Sequence, residues 1–355
     1  MEMLEKYGWN NFFSDYNNKN GSNNDFRIGR VISVQGFKYH LITAHVEVEA
    51  ELSGKLLYGS EPEMLPRVGD WVYFLDYEPQ GYIVEVFPRV NALSRKNPGN
   101  RSEKQILAAN IDCALVVQGL DRDFNLMRLD RYIVQLLACN ITPVIVLNKA
   151  DLVTDREPFR QEVNRLGREC PVYFCSTVDQ SGLDELYQKV LEPSRTYILI
   201  GSSGVGKSSL VNSLLTDPQQ RVGNISESTR KGTHVTTTRD LFQLPNGSLL
   251  IDSPGMREFG IALDEGGLNT TYFPLVDDLA GKCRYADCRH LNESGCAVIQ
   301  AYEDGTLDPK IYESYLKLMK EQSRFEIRIE DRKRLGKQFG KMVKEAKAYR
   351  DKYKY

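Results

Sequence analysis

The sequence lacks any apolar run close to the roughly 20 residues that a membrane-spanning helix needs, and it contains no internal repeat. Its N-terminus carries acidic side chains and no apolar core segment, so the pattern of a secretory signal is also missing. Hydrophobic residues make up 41% of the chain and charged residues 26%, as in ordinary globular proteins. We therefore expect a globular protein of the cytoplasm that makes no membrane contact.

Cysteine is scarce, with seven in 355 residues, and it is unevenly placed. Four cysteines lie in apolar or strand-like sequence and are expected to be reduced core residues: Cys113, Cys139, Cys170 and Cys175. The other three form a short cluster with a histidine: Cys283, Cys288, His290 and Cys296. Three thiolates and one imidazole complete a tetrahedral Zn²⁺ shell and leave no open position, so the cluster predicts one structural zinc ion. Unliganded surface cysteines are the alternative.

The net charge of −2 conceals an asymmetry. Residues 310–355 hold 15 Lys/Arg against 7 Asp/Glu, whereas the rest of the chain holds 31 against 41. A basic end on an acidic body favours a polyanionic partner. The same segment has apolar residues at helical spacing, including Ile311, Tyr315 and Leu318. Helices that pack on the body with a solvated basic face are therefore the plainer interpretation of this segment.

The pattern along the chain predicts four parts. Residues 1–25 are polar and Asn-rich, which suggests a flexible arm. Residues 26–96 read as short strands between Gly and Pro, which favours an OB-fold-like β-barrel. After a Pro/Gly/Asn linker at 97–102, strands and helices alternate over residues 97–270, as in an open α/β sheet. Residues 271–355 hold the Cys/His cluster and then helical sequence.

A phosphate-binding loop follows the apolar run at 197–200. The segment GSSGVGKSS fits G-x-x-x-x-G-K-[ST]. Glycines let backbone N–H groups turn inward around a phosphate, and the Ser208 hydroxyl would ligate Mg²⁺. Lys207 would reach the β- and γ-phosphates and stabilise the charge that develops during hydrolysis. The predicted nucleotide contacts in the loop are Gly201, Ser202, Ser203, Gly204, Val205, Gly206, Lys207, Ser208 and Ser209.

A candidate guanine motif, Asn148-Lys149-Ala150-Asp151, ends the apolar run VIVL. The Asp151 carboxylate can accept from both N1–H and N2–H₂ of guanine, a donor pair that adenine lacks. Asn148 would face the opposite edge of the purine, and the Lys149 stem would lie along the ring. The segment CST ends the next strand and could give a backbone N–H to the guanine carbonyl, with Ser176 as the predicted contact. A strand-to-helix turn with a capping Asp is the alternative for NKAD.

A third motif, Asp252-Ser253-Pro254-Gly255, follows the run SLLI. Asp252 would hold Mg²⁺ and the Gly255 N–H would sense the γ-phosphate. The order of the motifs is unusual, because NKAD and CST precede the phosphate loop, which comes first in Ras-like GTPases. This order indicates a circular permutation, in which the sheet is kept and the chain ends are moved.

With this order and this Cys/His spacing, the chain resembles the RsgA (YjeQ/YloQ) family of circularly permuted GTPases over about residues 26–300. The resemblance implies an α/β P-loop GTPase domain between an OB-like barrel and a zinc-binding helical module. It also implies Mg²⁺-dependent hydrolysis of GTP to GDP, stimulated by the small ribosomal subunit, in late maturation of that subunit. The basic end would then meet rRNA phosphates. A monomer is expected by default.

The residue that positions the attacking water is not the one found in Ras-like enzymes. Ras-like enzymes place a Gln after DxxG, but this chain has Met256, which cannot hold a water. The resembled family carries a Gly-x-His-Thr-Thr-like switch whose His is thought to do so, which implies that His234 is catalytic. Val235 departs from that pattern and leaves open whether Thr236 or Thr237 ligates Mg²⁺; Thr236 is preferred. A solvated loop histidine is the alternative for His234.

Two other functions fit parts of the sequence. A P-loop kinase or ATPase would share the phosphate loop, but NKAD argues against it. An RNA-binding adaptor that uses GTP only as a structural ligand is permitted by Met256. Competition by ATP tests the first alternative, and GTP turnover in the presence of small ribosomal subunits tests the second.

Overall fold

The computed structural model describes residues 2–21, 25–77, 80–96, 104–215, 240–252 and 273–320. The chain divides into two compact units, Met1–Ser94 with Ile106–Phe259, and Arg95–Gln105 with Gly260–Tyr355. The finer boundaries expected after residues 25, 96 and 270 stay a prediction. Within the described ranges, no helix combines the length and the apolarity of a transmembrane segment.

The N-terminal residues differ from the flexible arm predicted over residues 1–25. Two helices lie here, α1 (Glu2–Glu5) and α2 (Asn11–Asn20). Trp9 and Phe13 are only 5% and 1% exposed, and they pack with Trp71 and Phe87 in one aromatic cluster. The Trp9 and Trp71 rings meet edge to face with their centroids 4.9 Å apart. The Asn-rich composition concealed aromatic residues at helical spacing, and their burial holds the helix in place.

Five strands form a closed barrel. They are β1 (Arg27–Gln35), β2 (Lys38–Ile42), β3 (Glu47–Leu52), β4 (Trp71–Tyr77) and β5 (Gln80–Val86), with α3 (Gly54–Gly59) between β3 and β4. The strand order is β1-β2-β3-β5-β4, and β1 also pairs with β4, which closes the sheet. Alternating residues such as Val72 and Phe74 fill the interior, because successive side chains of a strand point to opposite faces. The predicted OB-like barrel is confirmed.

The predicted linker at 97–102 lies outside the described residues, but two strands flank it. These strands, β6 (Ala92–Lys96) and β7 (Lys104–Ala109), pair with each other as a separate two-stranded sheet. The sequence pattern did not identify either strand.

An open sheet follows the barrel. Its strands are β8 (Cys113–Gly119), β9 (Thr142–Asn148), β10 (Val172–Phe174), β11 (Thr196–Ile200), β12 (Asp240–Gln243) and β13 (Leu249–Asp252). The order is β10-β9-β8-β11-β13-β12. All neighbours from β10 to β13 are parallel, and only β12 is antiparallel. The sheet is the predicted α/β sheet, with an antiparallel strand at its end.

Helices cover both faces of this sheet. They are α4 (Leu126–Ala138), α5 (Glu157–Asn164), α6 (Leu183–Lys189) and α7 (Lys207–Leu215). Residues of α4 and α5 pack on one set of strand side chains, which includes Ile145 and Ile198. Residues of α6 and α7 pack on the alternate set, which includes Val146 and Leu199. Strands buried on both faces explain why the sequence runs here are continuously apolar.

The barrel and the sheet belong to one unit, and a buried arginine links them. Strand β1 pairs with β12 at Ser33 and Asp240. Arg30, only 1% exposed, donates to the carbonyls of Tyr7, Gly69 and Asn110 and to Thr196 Oγ1. These acceptors belong to the N-terminal segment, the barrel and the open sheet. Burial lowers the pKa of Arg30 to about 10.

We expect Arg30→Met to destabilise this unit by about 3 kcal/mol, because it leaves several buried acceptors without a donor. The matched control is Arg27→Met, since the Arg27 side chain is 63% exposed and its ion pair with Asp76 is worth at most about 1 kcal/mol. Urea unfolding followed by tryptophan fluorescence measures both variants, because Trp9 and Trp71 lie in the aromatic cluster beside Arg30. Equal unfolding midpoints would contradict the prediction.

The C-terminal unit contains α8 (Pro274–Ala280), α9 (Ala297–Glu303) and a helix at 309–320. The apolar residues predicted to repeat at helical spacing are buried here: Ile311, Tyr315 and Leu318 are 6%, 2% and 2% exposed. The Phe273 and Tyr315 rings are nearly perpendicular, with their centroids 5.4 Å apart. The packing interpretation therefore holds for the start of the basic segment, and its remainder lies outside the described residues.

Candidate functional site

The carboxyl ends of five parallel strands meet at one edge of the open sheet. The NKAD motif follows β9, Cys175 and Ser176 follow β10, the phosphate loop follows β11, and Asp252 ends β13. Open α/β sheets bind their ligands in the crevice outside the carboxyl ends of the strands. The fold therefore gathers the separately predicted motifs along a single edge.

The phosphate loop depends on glycines at its close approaches. Gly201 has φ 154°, and a Cβ there would lie 2.2 Å from the carbonyl oxygen of Val117 on β8. Gly206 has φ 94°, and a Cβ there would lie 2.3 Å from Asn148 Nδ2. Between them, Val205 is 1% exposed and anchors the loop in the core. The loop is therefore packed tightly against β8 and the NKAD turn.

Lys207 lies over this loop. Its ammonium donates to the carbonyl oxygens of Gly201 and Ser202, each at 2.6 Å. Burial lowers the pKa of Lys207, and the Asp252 carboxylate partly opposes that shift. An ammonium group held at a glycine-rich loop is suited to bind an anionic phosphate.

Two residues whose side-chain oxygens could ligate a metal ion lie near Lys207. Ser208 is exposed at the start of α7, and Asp252 is half-buried at the end of β13. A hydroxyl and a carboxylate are ligands that suit Mg²⁺. Among the residues that the structure describes, Ser208 and Asp252 therefore fit the predicted magnesium site.

Asn148 makes contacts within the protein that the sequence did not predict. Its side chain is buried, with Nδ2 donating to the Val205 carbonyl at 2.9 Å and Oδ1 accepting from the Cys175 thiol at 3.6 Å. The amide therefore ties the phosphate loop to the ends of β9 and β10, and its contact with the purine edge stays a prediction. Sequence spacing could not reveal this contact, because Val205 lies 57 residues away.

Asp151 and Ser176, which were predicted separately to contact guanine, also contact each other. The Ser176 hydroxyl donates to Asp151 Oδ1 at 2.5 Å, while the Ser176 backbone N–H donates to the Ser181 carbonyl. Ser176 is fully buried and Asp151 is exposed. The N–H of Ser176 is thus already used, and its hydroxyl fixes the carboxylate that would read guanine.

The structure also adds one residue to this edge. Lys149 pairs with Asp121, a residue that follows β8 and that the sequence analysis missed. Five sequence predictions lie outside the described residues: His234, Thr236, Thr237, Gly255 and Met256.

We expect Gly206→Ala to lower thermal stability even without nucleotide, because its Cβ would overlap Asn148 Nδ2. The matched control is Gly204→Ala, since Gly204 also has positive φ, 82°, but has no atom within 4 Å of an added Cβ. Both variants carry the backbone strain of about 1 kcal/mol or more, and only Gly206→Ala carries the clash. Calorimetric melting should show the lower Tm for Gly206→Ala. Equal Tm values would mean that Asn148 moves aside freely.

The predicted Cys/His cluster is assembled as a candidate metal centre. Its four donor atoms, from Cys283, Cys288, His290 and Cys296, all lie within 4.8 Å of one another. The sulfurs of Cys283 and Cys296 are 3.8 Å apart, and His290 Nδ1 is 3.6 Å and 3.4 Å from them. A tetrahedron with metal–sulfur bonds of about 2.3 Å has edges of about 3.8 Å. The cluster therefore has the size and the chemistry for one metal ion.

Comparison with known proteins agrees with this geometry. The family model described as RsgA GTPase matches residues 86–262. "Small ribosomal subunit biogenesis GTPase RsgA 1" of Bacteroides thetaiotaomicron is 38% identical over 346 residues, which cover 97% of this chain and 96% of that protein. "Small ribosomal subunit biogenesis GTPase RsgA 2" of Listeria monocytogenes is 42% identical over 318 residues, covering 90% and 89%.

Two solved structures have a similar fold. YjeQ from Thermotoga maritima aligns with a TM-score of 0.62 at 25% identity, covering 83% of this chain and 98% of that one. YloQ, described as a circularly permuted GTPase, aligns with a TM-score of 0.59 at 25% identity, covering 88% and 97%.

Proposed function

Because this chain belongs to the RsgA GTPase family, we propose that it acts in late maturation of the small ribosomal subunit and that this subunit stimulates its turnover. The chain is a circularly permuted GTPase, and its reaction is the hydrolysis of GTP to GDP and phosphate. The family membership carries the ribosomal part of this proposal. The buried Asn148 supports the nucleotide site, because its amide joins the NKAD turn to a phosphate loop that comes later in the chain.

The residues divide the work of binding and hydrolysis. Asp151, held by the Ser176 hydroxyl, would accept from the guanine N1–H and N2–H₂. Backbone N–H groups of the glycine loop would surround the β-phosphate, and Lys207 would exchange its loop carbonyls for phosphate oxygens. Developing negative charge on the γ-phosphate would be stabilised by the same ammonium.

Mg²⁺, held by Ser208, Asp252 and a switch threonine, Thr236, would neutralise charge on the phosphates. Gly255 would contact the γ-phosphate, and His234 would position the attacking water. These three residues, Thr236, Gly255 and His234, are assigned from the resemblance and the order of the motifs.

The metal of the Cys₃His cluster is proposed to be zinc. All four donors are protein side chains, so the site is closed and its role is structural.

The basic segment at the C-terminus is proposed to approach rRNA phosphates, a contact that depends on salt and carries little base information. The partners would then be the small subunit, its rRNA and GTP/GDP. The place of action would be the cytoplasm, and a monomer is expected.

The proposed function is tested by GTP hydrolysis with and without purified small ribosomal subunits, using wild-type protein and His234→Ala. We expect strong stimulation of the wild type and its loss in the variant. Stimulation that survives in His234→Ala would move the positioning of water to another group. No stimulation would refute the ribosome-dependent part of the proposal, and displacement of GTP by an equal concentration of ATP would refute the guanine site.

A further inference from the structure

We infer that Asp121 is a positioning residue of the guanine pocket, whose carboxylate holds the Lys149 ammonium beside the base. The inference rests on the proposed guanine-nucleotide site and extends it to a residue outside the sequence motifs. By pairing with Lys149, Asp121 would prevent that lysine from pairing with Asp151, whose carboxylate must accept hydrogen bonds from guanine.

The contact is a short, partly buried ion pair. Lys149 Nζ lies 2.5 Å from Asp121 Oδ2, and each side chain is 28% exposed. Such a pair is screened less by salt than one on the open surface. Lys149 also has φ 62°, a left-handed backbone conformation that is uncommon for a residue with a side chain. The backbone turn and the ion pair together determine where the lysine stem runs.

Strand pairing explains why these two residues meet. The register of β8 and β9 continues to the pair Gly119 and Asn148, and the Leu120 N–H then donates to the Asn148 carbonyl at 2.8 Å. Asp121 follows Leu120, and Lys149 follows Asn148. The two residues therefore leave the ends of β8 and β9 side by side. A Cβ on Gly119 would lie only 3.1–3.3 Å from the Asp121 carboxyl atoms. The absence of a side chain at Gly119 leaves the room in which the carboxylate turns back.

Asp121 is itself fixed in place. Its Oδ1 accepts the Asp123 N–H at 2.9 Å, so one oxygen serves the turn and the other serves Lys149. The hydrogen bond from Lys149 holds the pKa of Asp121 below its ordinary value. The carboxylate therefore remains charged at neutral pH and can hold the ammonium.

The functional consequence follows from the position of Asp151, two residues after Lys149. Guanine recognition needs the Asp151 carboxylate as an acceptor, and an ammonium turned toward it would compete with the base. In the structure Lys149 pairs with Asp121, while Asp151 accepts from Ser176. Asp121 thereby keeps Lys149 along the wall of the pocket and leaves Asp151 for guanine.

The test is a double-mutant cycle on full-length protein, with the dissociation constant of a fluorescent GDP analogue as the readout. The variants are Asp121→Asn, Lys149→Met and the pair combined. We expect Asp121→Asn to weaken GDP binding about three- to tenfold, and to have no further effect in Lys149→Met. The Asn side chain keeps an oxygen acceptor for the Asp123 N–H, but it loses the charge and places an amide N–H₂ group where Oδ2 accepted from Lys149. KM for GTP should rise by the same factor while kcat stays unchanged.

Asp123→Asn is the matched control, because Asp123 is 46% exposed and pairs with Arg128. This control should leave GDP binding unchanged. Wild-type affinity in Asp121→Asn would overturn the inference. Equal weakening in the Lys149→Met background would also overturn it, because Asp121 would then act through the turn. A wild-type protein that fails to bind GDP would instead refute the proposed function.

Discussion

Replacing Asp151 by Asn should weaken GDP binding by about a thousandfold or more, because a polar site built for one hydrogen-bonding pattern rejects the wrong pattern by about 10⁴. The carboxylate offers only acceptors, and guanine presents two donors. The Asn amide turns one of those acceptors into a donor, which then opposes a guanine N–H. Ser176 can still donate to the remaining oxygen, so the turn itself is expected to stay folded.

The same variant should gain affinity for xanthosine diphosphate, whose base carries a C2 carbonyl in place of the guanine amino group. The new amide N–H₂ can donate to that carbonyl. Competition of GDP and xanthosine diphosphate against a fluorescent nucleotide measures both changes. Asp155→Asn is the matched control, since Asp155 is exposed and its carboxylate accepts the Glu157 N–H at 3.0 Å. Unchanged GDP affinity in Asp151→Asn would remove this residue from the base site.

Loss of the metal should unfold the C-terminal unit around residues 273–320. We expect Cys296→Ser to abolish the bound metal, because the Cys296 sulfur is one of four ligands and is 4% exposed. Structural zinc contributes an apparent binding free energy of about 10–16 kcal/mol, more than so short a segment gains from its core. The same sulfur accepts the Ile299 N–H at the start of α9, so that helix should lose protection as well.

The measurements are metal content by mass spectrometry and hydrogen exchange over residues 273–320. Wild type should carry one zinc per chain, and chelation should reproduce the exchange pattern of the variant. Cys139→Ser is the matched control, because Cys139 ends α4 far outside the cluster in sequence, and it should keep the metal. A Cys296→Ser protein with full metal content and unchanged protection would show that the cluster is not a metal site.

The chemistry of this protein could largely be predicted from its sequence. Residue types and short spacings determine a phosphate loop, a guanine motif and a closed metal shell, because each needs particular groups within a few residues. The order of NKAD before GSSGVGKSS also indicated the circular permutation. Continuous apolar runs predicted a buried parallel sheet, because a strand that is covered on both faces has no polar side.

Only the tertiary structure determined which side-chain atoms contact each other. Arg30 looked like an ordinary strand residue, yet it joins three separate segments of one unit. Asn148 carries the expected motif, but its amide holds the phosphate loop. Asp121 belongs to no motif and meets Lys149 only because β8 and β9 pair in one register.

The N-terminal helix shows the same limit of sequence reasoning. Its composition is polar, and only the barrel surface that presents Trp71 makes a core for Trp9 and Phe13. Local spacing determines which chemistry a chain can carry, because those ligands are close in sequence. Contacts between residues distant in sequence depend on strand register and packing, and these are determined only when the whole fold forms.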